Sequence, residues 1–240
     1  MTTSSHKSGW KQGVLDGLPL LGGYIPVAIS FGVIAVQAGF TTLEATLISV
    51  LIYAGASQFL LVAMVASGAP LWLAVSMTLL VNVRHVVYAP NLVPFLNQSK
   101  AWPWLMHGLT DQIFALAHTR LPTLNDEVKV DWFKGVSLLA WFSWIIGTAL
   151  GAMAGDTLTQ KWPVLDSVMP FALPALFLAL LAPKFSDKRW GVSLLVTISM
   201  ALFLALSTFK NAAIPLAALC GAFTFYALTS RFGRRHSHAN

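Results

Sequence analysis

Long apolar stretches recur along this chain with almost no charge inside them, as at residues 43–66 and 71–81. No other feature narrows the fold so far. Hydrocarbon offers no water to the backbone, so a chain spans lipid only as helices or as a closed barrel. Barrel strands alternate polar and apolar residues, and these runs do not. Composition agrees, with 56% hydrophobic and 10% charged residues in 240 and a mean hydropathy of +0.70. A soluble domain carries about a quarter charged residues. The expected fold is all-α, a polytopic bundle of membrane helices.

At roughly 20 residues per crossing, the runs resolve into about eight spans: 14–38, 43–66, 71–95, 103–120, 136–155, 163–181, 190–206 and 212–229. The fourth is the least apolar, with His107, Asp111 and His118 inside it. Charge supports counting it. With eight crossings and a cytoplasmic N-terminus, Lys7, Lys11, Arg120, Lys129, Lys134, Lys184, Lys188, Arg189, Arg231, Arg234 and Arg235 lie inside. Only Lys100, Lys161 and Lys210 lie outside, and Arg84 falls within a span. Dropping the fourth crossing would put the clusters at 184–189 and 231–235 outside, against the positive-inside rule. Residues 121–134 read as a connection, and the whole chain, 1–240, as one membrane domain with short cytoplasmic tails at 1–12 and 230–240. The N-terminal residues resemble a signal-peptide n-region, but the run behind them is longer than an h-region and many spans follow. It is expected to stay as the first helix.

The net charge of +6 is scattered over loops and tails, which fits headgroup anchoring rather than nucleic-acid binding. Cys220 is the single cysteine and can form no intrachain disulfide. No Cys/His spacing suggests a metal, and no cofactor is expected.

Several residues are out of place in lipid. The first span holds Gly17, Pro19, Gly22, Gly23 and Pro26, a density that disfavours a continuous helix. The second carries Tyr53-Ala54-Gly55-Ala56-Ser57-Gln58-Phe59 near its midpoint. Those small residues suit either close helix packing or an unwound stretch whose free amides and carbonyls hold a ligand. Asn82, Arg84, His85 and Tyr88 sit in the third span, with Tyr88 one turn from Arg84 on the same face. An arginine at mid-membrane costs about 2.5–3.5 kcal/mol on insertion scales, so a partner is expected, whether structural or functional. In the fourth span His107, Asp111 and His118 form one helical stripe. Asp111 is the obvious counter-ion for Arg84. The first and sixth spans both open with Asp followed by Pro (Asp16 and Pro19, Asp166 and Pro170), either a decayed inverted repeat or a chance likeness among apolar segments.

A zwitterion needs donors for its carboxylate, acceptors for its ammonium and an apolar pocket. Arg84 or freed amides near Gly55 would supply the first, and Asp111 with backbone carbonyls the second. Asp111 and His85 are also candidates to carry a proton.

Gly23-Tyr24-Ile25-Pro26-Val27-Ala28, the stretch 53–59, Val83-Arg84-His85 with Tyr88, Gly108-Leu109-Thr110-Asp111 and Leu173-Pro174-Ala175-Leu176-Phe177 together resemble the AzlC/YgaZ-type large subunit of branched-chain amino acid exporters. The likeness runs in order from about residue 13 to 180. It implies export of valine, leucine, isoleucine and methionine across a bacterial cytoplasmic membrane, with a small AzlD/YgaH-type membrane subunit as partner; the mid-span Asp111 adds the expectation that export is proton-coupled. The candidate substrate-binding positions are Gly23, Pro26, Gly55, Ala56, Ser57, Gln58, Asn82, Arg84 and Tyr88. The family often has an acidic residue after Thr-Asp, where this chain has Gln112, which leaves Asp111 as the stronger coupling residue. Two other readings compete. One is a carrier or channel for another small solute. The other is a rhomboid-like intramembrane protease, in which Ser57 would need His85 or His118 as base.

Overall fold

The computed structural model describes residues 9–96, 102–207 and 213–237. Every regular element among them is helical. In chain order the α-helices are α1 (Gly9–Gln37), α2 (Thr42–Leu51), α3 (Gly55–Ala66), α4 (Leu71–Asn82), α5 (Arg84–Leu96), α6 (Trp102–His107), α7 (Asp111–Arg120), α8 (Asp126–Lys161), α9 (Val164–Val168), α10 (Ala172–Leu181), α11 (Lys188–Ala205) and α12 (Ala213–Ser237). The chain divides into two compact units, Met1–Leu176 and Phe177–Asn240.

The first unit is organised around α1 and α8. At ~1.5 Å per residue they run about 44 and 54 Å, well beyond the ~30 Å hydrocarbon core. Glycines set how closely they lie. A Cβ added to Gly13 would fall 2.0 Å from the Trp132 carbonyl oxygen, and one added to Gly151 would fall 2.1 Å from that of Ile29. Gly9, Gly32 and Gly135 are equally tight against the facing backbone. Without a hydrophobic drive in lipid, this close approach is what holds two membrane helices together. Asp16 adds a polar clasp, its Oδ2 accepting from Arg120 Nη2 at 2.8 Å and from Trp132 Nε1 at 2.8 Å. Around the pair is a core of Tyr24, Val27, Tyr53, Leu92, Leu109, Ile113, Trp132, Phe133 and Trp144.

Two expectations are corrected here. The first span does not break: α1 passes through Pro19 and Pro26 as one helix of 29 residues. Gly9, Gly13, Gly17 and Gly32 serve contact with α8, and Gly23 faces Leu176, whose Cδ1 lies 2.6 Å from where a Cβ would be. Residues 126–134 are also no mere connection. Helix α8 already begins at Asp126, with Asp126 and Glu127 at its positive end. The i,i+3 pairs Lys129–Asp126 (2.5 Å) and Lys134–Asp131 (3.2 Å) run along its first turns.

Among the described residues, four helical stretches are long and apolar enough to cross a membrane: Gly9–Gln37, Leu71–Leu96, Asp126–Gly155 and Lys188–Ala205. Helices α2 and α3, and Leu216–Ser230 within α12, are shorter apolar pieces. The predicted second and fourth spans are each built from two half-length helices, α2 with α3 and α6 with α7. The third carries a one-residue interruption at Val83 between α4 and α5. The sixth is split into α9, a 3-10 turn at Met169–Phe171 and α10, so the segments around Asp16 and Asp166 differ in local structure. In the second unit α11 packs on α12, where Gly221 admits Thr197. Residues 1–8 and 238–240 of the predicted tails, and the loop lysines Lys100 and Lys210, lie outside the described residues.

Candidate functional site

Three interrupted helices meet in the first unit, each break with its own local cause. Between α2 and α3, Tyr53 adopts φ +42°, a left-handed conformation that is an outlier for a bulky side chain. Between α6 and α7 the chain extends at Thr110, whose hydroxyl caps α7 by accepting from Ile113 N at 3.3 Å. At Val83 the turn is tight and Arg84 opens α5.

Side chains lace the breaks together. His107 Nε2 lies 3.0 Å from the carbonyl oxygen of Val50, at the end of α2. His85 Nε2 lies 3.1 Å from that of Leu109, and its Nδ1 lies 3.0 Å from that of Asn82. Carbonyls at helix ends lack intrahelical donors, and these rings fill that need. Arg84 Nη1 meets Asp111 Oδ2 at 2.9 Å, and the Tyr88 hydroxyl donates to Asp111 Oδ1 at 2.7 Å. From α1, Tyr24 bonds to the Thr110 hydroxyl and donates to Gln112 Oε1 at 3.2 Å.

Arg84, Tyr88, Asp111 and His85 are therefore together, and Asn82 is bound to His85 through its backbone. The predicted stripe of His107, Asp111 and His118 is corrected. The helix stops after His107 and restarts at Asp111, so His107 turns to α2 while His118 lies against Phe114. Gly55 and Ala56 start α3. Ser57 and Gln58 are fully buried there, Ser57 donating to the Ala54 carbonyl at 2.8 Å. Gln58 Nε2 donates to Ser49, which bonds Thr148 at 2.8 Å. With His85 and His107 held by backbone carbonyls and His118 against Phe114, none of these rings is hydrogen-bonded to Ser57, and the serine–histidine dyad of the protease reading is not formed. Pro26 lies within continuous α1 and frees no unwound stretch.

Sequence reasoning gave no site role to Tyr24, Tyr53, His107 or Trp144. Trp144 packs edge-on to both Tyr24 and Tyr53, at centroid distances of 5.4 and 6.5 Å. The signal in the sequence was weak: aromatic residues with polar tips in mid-span, which also occur for packing alone. Several buried polar atoms here have no hydrogen-bond partner, among them Tyr53 Oη, Trp144 Nε1, Gln58 Oε1 and Asn82 Oδ1. Such groups are uncommon and ask for an explanation.

Paired half-helices around a partly buried charged centre define a polytopic helical membrane protein of transporter type. Residues 19–158 match the family model described as AzlC protein, and the chain belongs to that family. It is 41% identical over 214 residues to the inner membrane protein YgaZ of Escherichia coli (strain K12), covering 88% of this chain and 85% of that one. An uncharacterized membrane protein of Archaeoglobus fulgidus is 34% identical over 79% of this chain and 82% of its own length. The branched-chain amino acid transport protein AzlC of Bacillus subtilis (strain 168) is 24% identical over 77% and 71%. No solved structure matches the chain.

Proposed function

We propose that this protein exports valine, leucine, isoleucine and methionine across the cytoplasmic membrane, coupled to protons, as the large subunit of a two-component exporter. The observation that carries this reading is the Arg84–Asp111–Tyr88 cluster where three interrupted helices meet. The relation to a branched-chain amino acid transport protein supports it. We assign the substrate to Gly55, Ala56, Ser57 and Gln58 together with Asn82, Arg84 and Tyr88, while Asp111 and His85 carry the proton. His85 suits that role, because a neutral imidazole has one N–H for its two carbonyl neighbours and an imidazolium has two. Protonation would tighten the link between two breaks. The partner is a small AzlD/YgaH-type membrane subunit, and the whole chain acts as one transport domain.

The test is radiolabelled leucine flux in proteoliposomes, with the chain alone and with its small subunit, under imposed proton gradients. Concentrative flux that follows the gradient and needs both subunits is expected. Flux indifferent to the gradient would remove the coupling, and full flux by the chain alone would remove the partner. If no branched-chain amino acid moves under any condition, a carrier of another solute takes this reading's place.

A further inference from the structure

We infer that the cavity of about 600 Å³ between the ends of α2 and α6 and one face of α8 receives the substrate's aliphatic side chain, so that its walls set which amino acids are carried. This rests on the amino-acid reading above and adds to it a seat for the side chain. Two of the helix breaks place the cavity. Val50 and Leu51 come from the last turn of α2, and His107 and Gly108 from the point where α6 stops. The facing wall is α8, with Ser137, Leu138 and Trp141. Gly108 lets the two sides close up, since a Cβ there would stand 2.6 Å from the Ser137 Cβ. Leu109 follows directly, its carbonyl held by His85, and Asp111 opens α7 two residues further on. One wall is thus joined through the chain to the charged centre.

The chemistry of the walls selects the ligand. Leu51, Leu105 and Leu138 present only carbon, and the polar groups beside them are turned into the wall. His107 Nε2 and Trp141 Nε1 both lie against the Val50 carbonyl oxygen, at 3.0 and 3.3 Å, and their rings pack edge to face at 6.0 Å. Lys134, at one side, pairs with Asp131 at 3.2 Å. The Ser137 hydroxyl has no partner, but it is buried against Gly108, 3.0 Å from where a Cβ would stand, rather than open to the cavity. A ligand there meets carbon and ring surface. Such walls reward each methylene they bury, and a polar group would give up its water for nothing. The volume falls in the range of about 300–1,000 Å³ usual for small-molecule sites. A second apolar cavity, of about 440 Å³, runs along α1 and α8 past Val14, Ile25, Phe142 and Ile146. It touches none of the three breaks and serves as the control.

The experiment uses the full-length protein with its small subunit and measures binding by titration calorimetry. The probes are alanine, valine, leucine, methionine and phenylalanine, which share their charged groups and differ only in side chain. Val50→Phe fills the cavity, Val50→Ala enlarges it, and Ile146→Phe fills the control cavity. Val50→Phe is expected to weaken leucine and methionine about tenfold or more relative to alanine, the scale on which a hydrophobic pocket reads one or two carbons. Val50→Ala should shift preference from leucine toward phenylalanine by a similar factor, and it is the mild variant should Val50→Phe fold poorly. Ile146→Phe should keep the wild-type order of affinities. An equal change for every amino acid, no change in either Val50 variant, or the same shift from Ile146→Phe overturns the assignment. So does loss of co-purified lipid from Val50→Phe with amino-acid selectivity intact, which would make the cavity a lipid seat. If wild type binds none of these amino acids, the substrate reading falls instead. Aliphatic carboxylates and amines of graded chain length then decide the cavity: Val50-dependent selection by length upholds it, and its absence overturns it.

Discussion

Arg84 and Asp111 show how one pair can be both costly and necessary. Their side chains are 22% and 12% exposed, so each charge has lost much of its water. Removing one partner of a buried pair costs about 3–5 kcal/mol, because the survivor is stranded. Asp111→Asn and Arg84→Gln are each expected to reduce folded yield and leucine export. The double neutral variant should recover stability, read by melting temperature in detergent, because neither charge is left alone. On the proposed role of Asp111 in carrying the proton, it should still fail to concentrate leucine against a gradient. Normal gradient-driven export by Asp111→Asn would end that role. Both residues stood out in the sequence as charges of opposite sign in mid-span, so their pairing was legible. The interest of Tyr53 and Trp144 was not, because it lies in unpartnered atoms and in a backbone angle that no residue name reveals.

At the level of elements, glycine has two uses in this chain that composition alone cannot separate. In α1 it lets a continuous helix lie against α8. At Gly55 and Gly108 it sits at a break, packed against Trp144 and Ser137 respectively. Periodicity and residue type were the same in both cases, and only the neighbouring helix distinguishes them. The difference can be measured. Gly13→Ala and Gly151→Ala each push a methyl into facing backbone and should destabilise by about 1–3 kcal/mol, the usual cost of overpacking. Gly22→Ala, with nothing within 4 Å, should be neutral or gain up to about 1 kcal/mol from helix propensity. Thermal unfolding in one detergent compares all three. Equal effects at 22 and 151 would show that the contact is not what the glycines serve.

Across the molecule each unit exposes large apolar side chains in the single chain: Leu71, Trp72, Leu79, Leu80, Leu150 and Met153 in the first, and Leu195 and Phe203 in the second. Lipid suits such a surface. Eight crossings with both termini cytoplasmic are the expectation drawn from the charge split, and on it reporter fusions at residues 126 and 186 should both read cytoplasmic. A periplasmic signal at either would overturn that topology and would also relocate the acidic start of α8.

Membrane residence and the all-helical class were determined by the sequence itself, because lipid leaves an apolar chain so few ways to satisfy its backbone. The exceptional charges were equally plain, since each is expensive where it stands. Which segments run straight and which break was decided only in three dimensions. A proline-containing helix persists when a partner packs along it, as α8 does along α1. A glycine-poor turn such as that at Tyr53 forms when surrounding helices over-determine it. The meeting of the three breaks is likewise a property of packing. His85 and His107 reach carbonyls 24 and 57 residues away in sequence, and no local pattern encodes which distant helix end will be left in need of a donor.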